Sequence, residues 1–242
     1  MLYTDKTPAD METLESYESN ILDVAASEDI DLGVKLDLAA EQVGDEIELW
    51  LRNRAPIDAV LVTPSVRQWH AMQTLELVYR DAYYQEMNDR YKMKWVMYGE
   101  LRRESRNRCF ASGISVVSAP VPCGPKPTLG TGVGGGATGS VYLRATWASA
   151  DGREGAPGQL QVFENQDGVH LVAWVDEAGP AECGWNVYAG TAPDELILQN
   201  DRILDTGEIW AQAGPLRATG RELHPGQMAD YRVLDCRRLP RG

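Results

Sequence analysis

Along residues 10–51, apolar side chains return at steps of three and four, the spacing that gathers them on one face of an α-helix. Met11, Leu14, Tyr17, Ile21, Leu22 and Val24 form a first set, capped by Thr7 or Asp10 and expected to end near Ser27. Asp31 is the candidate cap of a second helix. Its Leu36, Ala40, Val43, Ile47 and Trp50 or Leu51 make a long apolar seam, while Lys35, Asp37, Glu41, Asp45, Glu46 and Glu48 are left for solvent. Gly44 lies in that seam and lowers local helicity by about 1 kcal/mol relative to Ala, which marks a candidate close crossing of two helices.

Residues 57–62 read as a connection, partly extended, that closes at Thr63-Pro64. A threonine cap followed by proline at the first helical position is a strong start signal. The helix that follows carries Val66, Trp69, Met72, Leu75, Val78, Tyr79, Ala82, Tyr83 and Met87, apolar on more than one face, and is expected to be the central helix of its domain. Helical character continues through Tyr91, Trp95, Tyr98 and Leu101 and either bends near Asn88-Asp89 or runs straight on. Run straight from Pro64 to Arg106, it would be about 65 Å long at 1.5 Å per residue, longer than a small domain. Arg102, Arg103, Arg106 and Arg108 close it, where positive charge suits the helix dipole and could also meet a partner.

The period then changes. Residues 119–138 are rich in proline and glycine and read as a linker, stiff at Ala119-Pro120-Val121-Pro122 and Pro125-Lys126-Pro127 and flexible from Gly130 to Gly136. Gly130, Gly132 and Gly135 match G-x-G-x-x-G, but a phosphate cradle needs a strand before it and a helix after it, and this stretch has neither. From Val141 to Trp147 the alternation is that of a strand. Further strands are expected at Gln159 to Phe163, Val169 to Val175, Trp185 to Ala189, Glu195 to Leu198, Ile209-Trp210 and Tyr231 to Leu234, with turns at Asp151-Gly152 and at residues 165–168. The expectation is a multidomain chain: an all-α domain over residues 1–118, the linker, and an all-β sandwich over residues 139–242.

The chain has 242 residues, 43% of them hydrophobic, ample for one large or two modest cores. Seven Trp and ten Tyr against two Phe make its aromatic surface one with polar handles, a composition compatible with assembly. The net charge of -13 is uneven: residues 1–60 hold 15 acids and four bases, residues 61–120 six acids and nine bases. Such asymmetry permits head-to-tail contact between copies and argues against a nonspecific grip on nucleic acid, which needs a dense basic surface. No apolar run reaches membrane-spanning length and no basic-then-apolar leader opens the chain, so an aqueous compartment is expected. Cys109, Cys123, Cys183 and Cys236 lack the close spacing of a zinc knuckle or redox pair and are expected as reduced thiols. His70, His170 and His224 form no metal-binding motif, and no G-x-S-x-G elbow occurs, so neither cofactor, metal nor catalytic residue is expected.

Leu61-Val62-Thr63-Pro64-Ser65-Val66-Arg67-Gln68-Trp69-His70, the following residues 74–83 and Asn88-Asp89-Arg90-Tyr91, together with residues 14–22, resemble the helical head-to-tail adaptor proteins of tailed bacteriophages over about residues 10–115. Trp185-Asn186-Val187-Tyr188-Ala189-Gly190-Thr191, ahead of Pro193-Asp194, resembles the fibronectin type III or immunoglobulin-like modules attached to phage structural proteins. The resemblance implies a non-enzymatic virion protein, assembled in the host bacterial cytoplasm, that forms a homo-oligomeric ring, commonly of twelve copies, beneath the portal protein. The ring would meet neck or tail components and let phage DNA pass without reading it. Tyr83, Tyr84, Tyr91 and Trp95, with Arg102, Arg103, Arg106 and Arg108, are then the candidate subunit or portal contacts. The acidic stretch of residues 28–48 would line the channel or form an outer solvated face. A surface or secreted binding module without catalytic activity is the alternative that the two-domain layout allows.

Overall fold

In a computed structural model the described residues are 1–86, 89–132, 138–165 and 168–234. Five helices, α1 (Met11–Tyr17), α2 (Ile21–Ser27), α3 (Leu32–Leu51), α4 (Pro64–Glu86) and α5 (Asp89–Ser112), precede the strands of the C-terminal half. The chain divides into two compact units, one of Leu2–Ser118 with the returning residues 229–234, the other Ala119–Met228.

In the helical unit the first expected helix is two. Glu18 adopts an extended backbone and ends α1, and Asn20 opens α2, so Leu14 and Ile21 are buried while Leu22 is left outside. The Asp31 carboxylate accepts from Val34 N–H and starts α3, as its position predicts. Gly44 does mark a close approach, but of a side chain: a Cβ there would lie 3.2 Å from the Tyr3 ring, whose hydroxyl donates to Ala40 O at 2.6 Å. Thr63 Oγ1 accepts from Val66 N–H at the head of α4. From Trp69 to Tyr79 every residue of α4 except Glu76 is buried, and cores on both its ends draw on α1, α2, α3 and α5.

The long-helix alternative does not hold, because α5 folds back antiparallel along α4. Contacts descend in one sequence as they ascend in the other: Glu76 with Arg102, Tyr79 with Tyr98, Tyr83 with Trp95. Of the expected bend at Asn88-Asp89, Asp89 opens α5, and Asn88, with Met87 before it, lies outside the described residues. After α5, strand β1 (Ile114–Val116) pairs antiparallel with β9 (Tyr231–Val233). The second of these was expected in the β domain. Alternation identifies a strand but not its partner, and Val233 is buried in the helical unit's core.

The β unit begins earlier than expected. Residues 119–132 are not a linker: Val121 N–H donates to Gln227 Oε1 at 2.7 Å, Gly124 N–H to Ala156 O at 2.7 Å, and β2 (Thr128–Gly132) pairs with β5 (His170–Trp174). Proline tolerates extended backbone at a sheet edge, and the missing side chains of Gly130 and Gly132 admit Trp174 and Val172 beside β2. Residues 133–137, including Gly135 of the glycine pattern, lie outside the described residues.

Two antiparallel sheets make up the unit. One is ordered β2-β5-β8, with β8 Trp210–Ala211. The other is ordered β4-β3-β6-β7, with β3 Gly139–Ser149, β4 Gln161–Asn165, β6 Cys183–Gly190 and β7 Ile197–Leu198. Val141, Leu143, Ala145 and Trp147 of β3 and Trp185, Val187 and Ala189 of β6 share one core with Leu171, Ala173 and Trp210 of the other sheet. The Asp151-Gly152 turn is present, Gly152 at φ +85 with its N–H donated to Ser149 O. Residues 166 and 167 of the other expected turn are outside the described set.

Candidate functional site

The hairpin of α4 and α5 brings together most of the residues that the sequence nominates. Near its turn, Tyr83 stacks on Trp95 with ring centroids 5.7 Å apart, and Tyr84 leans on both at 5.5 and 5.7 Å. Tyr83 and Trp95 are half-buried, whereas Tyr84 is 59% exposed. A tyrosine held by two neighbouring rings and open to water loses little freedom when a partner covers it, which is the property of an interface anchor. Tyr91 is different: it is 3% exposed and its hydroxyl donates to the buried Glu28 carboxylate at 2.6 Å. It belongs to the core and to no open surface of this chain.

The arginines divide by helical spacing. Arg102 Nε lies 2.6 Å from the Glu76 carboxylate, and Arg106 pairs with Glu46 while its guanidinium lies 4.9 Å over the Phe110 ring. These two tie α5 to α4 and α3. Arg103 and Arg108 point outward, Arg108 reaching only the Gln68 amide oxygen at 3.5 Å. A run that looks uniform in sequence is therefore two structural ties and two outward charges.

Beside them lies a feature that the sequence reading missed. Met93, Val96, Met97 and Leu101 are all exposed on the outer side of α5, Met93 at 76%. Their spacing, three from Met93 to Val96 and four from Met93 to Met97 and from Met97 to Leu101, was visible, but they alternate with the inward set Tyr91, Trp95, Tyr98, Ser105 and Cys109, and two interleaved stripes cancel in any single-face reading. Methionine, aromatic and arginine side chains are the types enriched where proteins meet.

On the inward side a polar network ties the hairpin to the break between α1 and α2. The Glu18 carboxylate accepts from Lys94 Nζ at 2.5 Å and Tyr98 OH at 2.9 Å. Burial raises the carboxyl's pKa, but these hydrogen bonds and the Lys94 charge outweigh it and hold the group below its usual range. Burial and the same carboxylate push the Tyr79 and Tyr98 hydroxyls well above theirs.

The β unit carries an open cavity of about 610 Å³, lined in part by Arg144, Asp194, Glu195, Arg217 and Glu222, where acids and arginines offset one another. Glu154 joins Asn186, Tyr188 and Arg221 on the outer side of the β3-β6 sheet, a strut between strand and loop. Among the described residues no three His, Cys, Asp or Glu side chains group to hold a metal ion, and no helix is long and apolar enough to cross a membrane. Cys109 and Cys183 are free thiols, the Cys123 thiol donates to Pro157 O at 3.3 Å, and Cys236 lies outside the described residues. Compared with known families and with curated proteins, the chain matches no family model and no curated sequence.

Proposed function

We propose that this chain is a structural, non-catalytic adaptor of a tailed bacteriophage particle. Copies form a closed ring beneath the portal, join the capsid to neck or tail components, and extend the channel through which DNA passes. The observation that carries the reading is the set of exposed anchors on the α4–α5 hairpin: Tyr84 on α4, and Met93, Val96, Met97 and Leu101 beside Arg103 and Arg108 on the outer side of α5. The hairpin is a stiff platform because α4 is buried along its centre, and a stiff apolar surface rimmed by charge suits docking between proteins. The resemblance of residues 10–115 to head-to-tail adaptors supports the same reading.

The β unit is assigned to the immunoglobulin-like or fibronectin type III class, as a module that meets other particle components. Its strand neighbours support this. In immunoglobulin sandwiches B lies beside E, and C′, C, F and G follow one another in the opposite sheet. Reading β2 to β7 as B, C, C′, E, F and G gives β2-β5 and β4-β3-β6-β7, the adjacencies found here. β8, at the edge beside β5, departs from the scheme.

The test is a reconstruction of the portal vertex of the assembled particle. The chain is expected in a closed ring coaxial with the portal. A chain absent from the particle would overturn the reading and favour a surface binding module.

A further inference from the structure

Two faces of the helical unit are each incomplete and fit one another. On the exposed side of α3 lie Val34, Asp37, Glu41, Asp45, Glu48 and Leu49, four carboxylates between two apolar ends. The ion pairs of α3 run through Lys35 to Asp81 and through Glu46 to Arg102 and Arg106, on its other sides. The outer face of α5 presents Met93, Val96, Met97 and Leu101 with Lys92, Arg103 and Arg108, and with Glu100 and Glu104 among them. Lys92 to Arg108 spans about 24 Å and Val34 to Leu49 about 22 Å at 1.5 Å per residue, so the two faces match in length.

We propose that the α3 face of one copy docks on the α5 face of the next copy. The occupant is a second copy because the complementarity is internal to this chain. Pairing α3 with α3 would set eight carboxylates against one another, and like charges across an interface are costly, whereas α3 against α5 sets acids beside Lys92, Arg103 and Arg108 and covers the methionines. The two faces differ, so the contact is heterologous, the kind that propagates from copy to copy and closes into a ring when the rotation allows. Its closure into a ring rests on the adaptor reading; the contact itself rests on the two faces. It also assigns the acidic stretch: Asp37 to Glu48 face a neighbouring subunit and do not line the channel.

The experiment uses two full-length variants, Glu41→Lys with Asp45→Lys on α3, and Lys92→Glu with Arg103→Glu on α5. All four positions are exposed, and circular dichroism with thermal melting verifies that each variant folds as the wild type does. Analytical ultracentrifugation at low salt should show the wild type self-associating and each variant alone weakened by more than about tenfold. Mixed in equal amounts, the variants should reassemble, since every α3–α5 junction in an alternating array again joins opposite charges. Variants that associate like the wild type, a folded mixture that stays dispersed, or a wild type monomeric at every concentration would each overturn the contact. Rescue by mixing, in a protein that never engages a portal, would keep the contact and sink the adaptor reading. A portal-bound ring formed equally well by either variant alone would do the reverse.

Discussion

His70 is held between two backbone groups, and those groups decide its proton. Ala9 N–H donates to Nδ1 at 3.2 Å, so Nδ1 must be bare, and Nε2 carries the hydrogen given to Leu36 O at 2.9 Å. The neutral ring is the one that fits. Burial moves its pKa down to about 4, against smaller upward pulls from the Leu36 hydrogen bond and the Asp37 charge. An unfolded imidazole takes up a proton below its usual 6.5. Stability is therefore complete above about pH 6.5 and falls as the pH drops toward about 4, at up to about 1.4 kcal/mol per unit. Urea denaturation midpoints at pH 7 and pH 5 should differ for the wild type and converge for His70→Gln, which is less stable at pH 7 but less sensitive to acid. A flat wild-type profile over that window would contradict a neutral, buried His70. Glu18 makes the second residue-scale prediction. Glu18→Ala strands Lys94 and the Tyr98 hydroxyl and should lower stability by about 2 kcal/mol in chemical denaturation, discounted for the partial exposure of Lys94. Glu18→Gln, which keeps an acceptor, should cost less.

Between elements, the least expected feature is the pairing of β1 with β9, which makes the helical unit depend on a segment more than a hundred residues downstream. Asp230 accepts from Ser118 N–H at 2.7 Å, Val233 enters the core, and the Arg54 guanidinium donates to Leu234 O at 2.8 Å. Ending the chain after Met228 removes all three. Hydrogen exchange should then show the helical unit destabilised by on the order of 3 kcal/mol, with the strands of the β unit unchanged. Equal protection of the helices in the truncated chain would show that β9 contributes nothing. Helix starts at Asp31 and Thr63-Pro64, the burial of α4 and the positions of most strands were legible in the sequence, because caps and periodicity are local signals. Strand partners were not, and neither was the folding of residues 119–132 into the β unit. There proline and glycine report backbone geometry without reporting what packs against it: a Cβ on Gly124 would overlap the Ala145 carbonyl oxygen, a constraint visible only in three dimensions. Of the candidate site, Tyr83, Tyr84 and Trp95 do gather at one place, Tyr91 is core, and the arginines split between ties and outward charges.

For the whole molecule, the uneven charge along the chain becomes an arrangement of faces. Four of the 15 acids of residues 1–60, Asp37, Glu41, Asp45 and Glu48, lie on the exposed side of α3, and seven of the nine bases of residues 61–120 lie on α5. On the proposed adaptor reading, the stiff α4–α5 hairpin would carry load from copy to copy around a ring, and the second unit would meet other particle components. The measurement that tests this account most directly is cryo-electron microscopy of the assembled particle at the portal vertex, read for symmetry and register. The account predicts a closed ring coaxial with the portal in which α3 of each copy lies against α5 of its neighbour. A vertex without this chain would contradict the account.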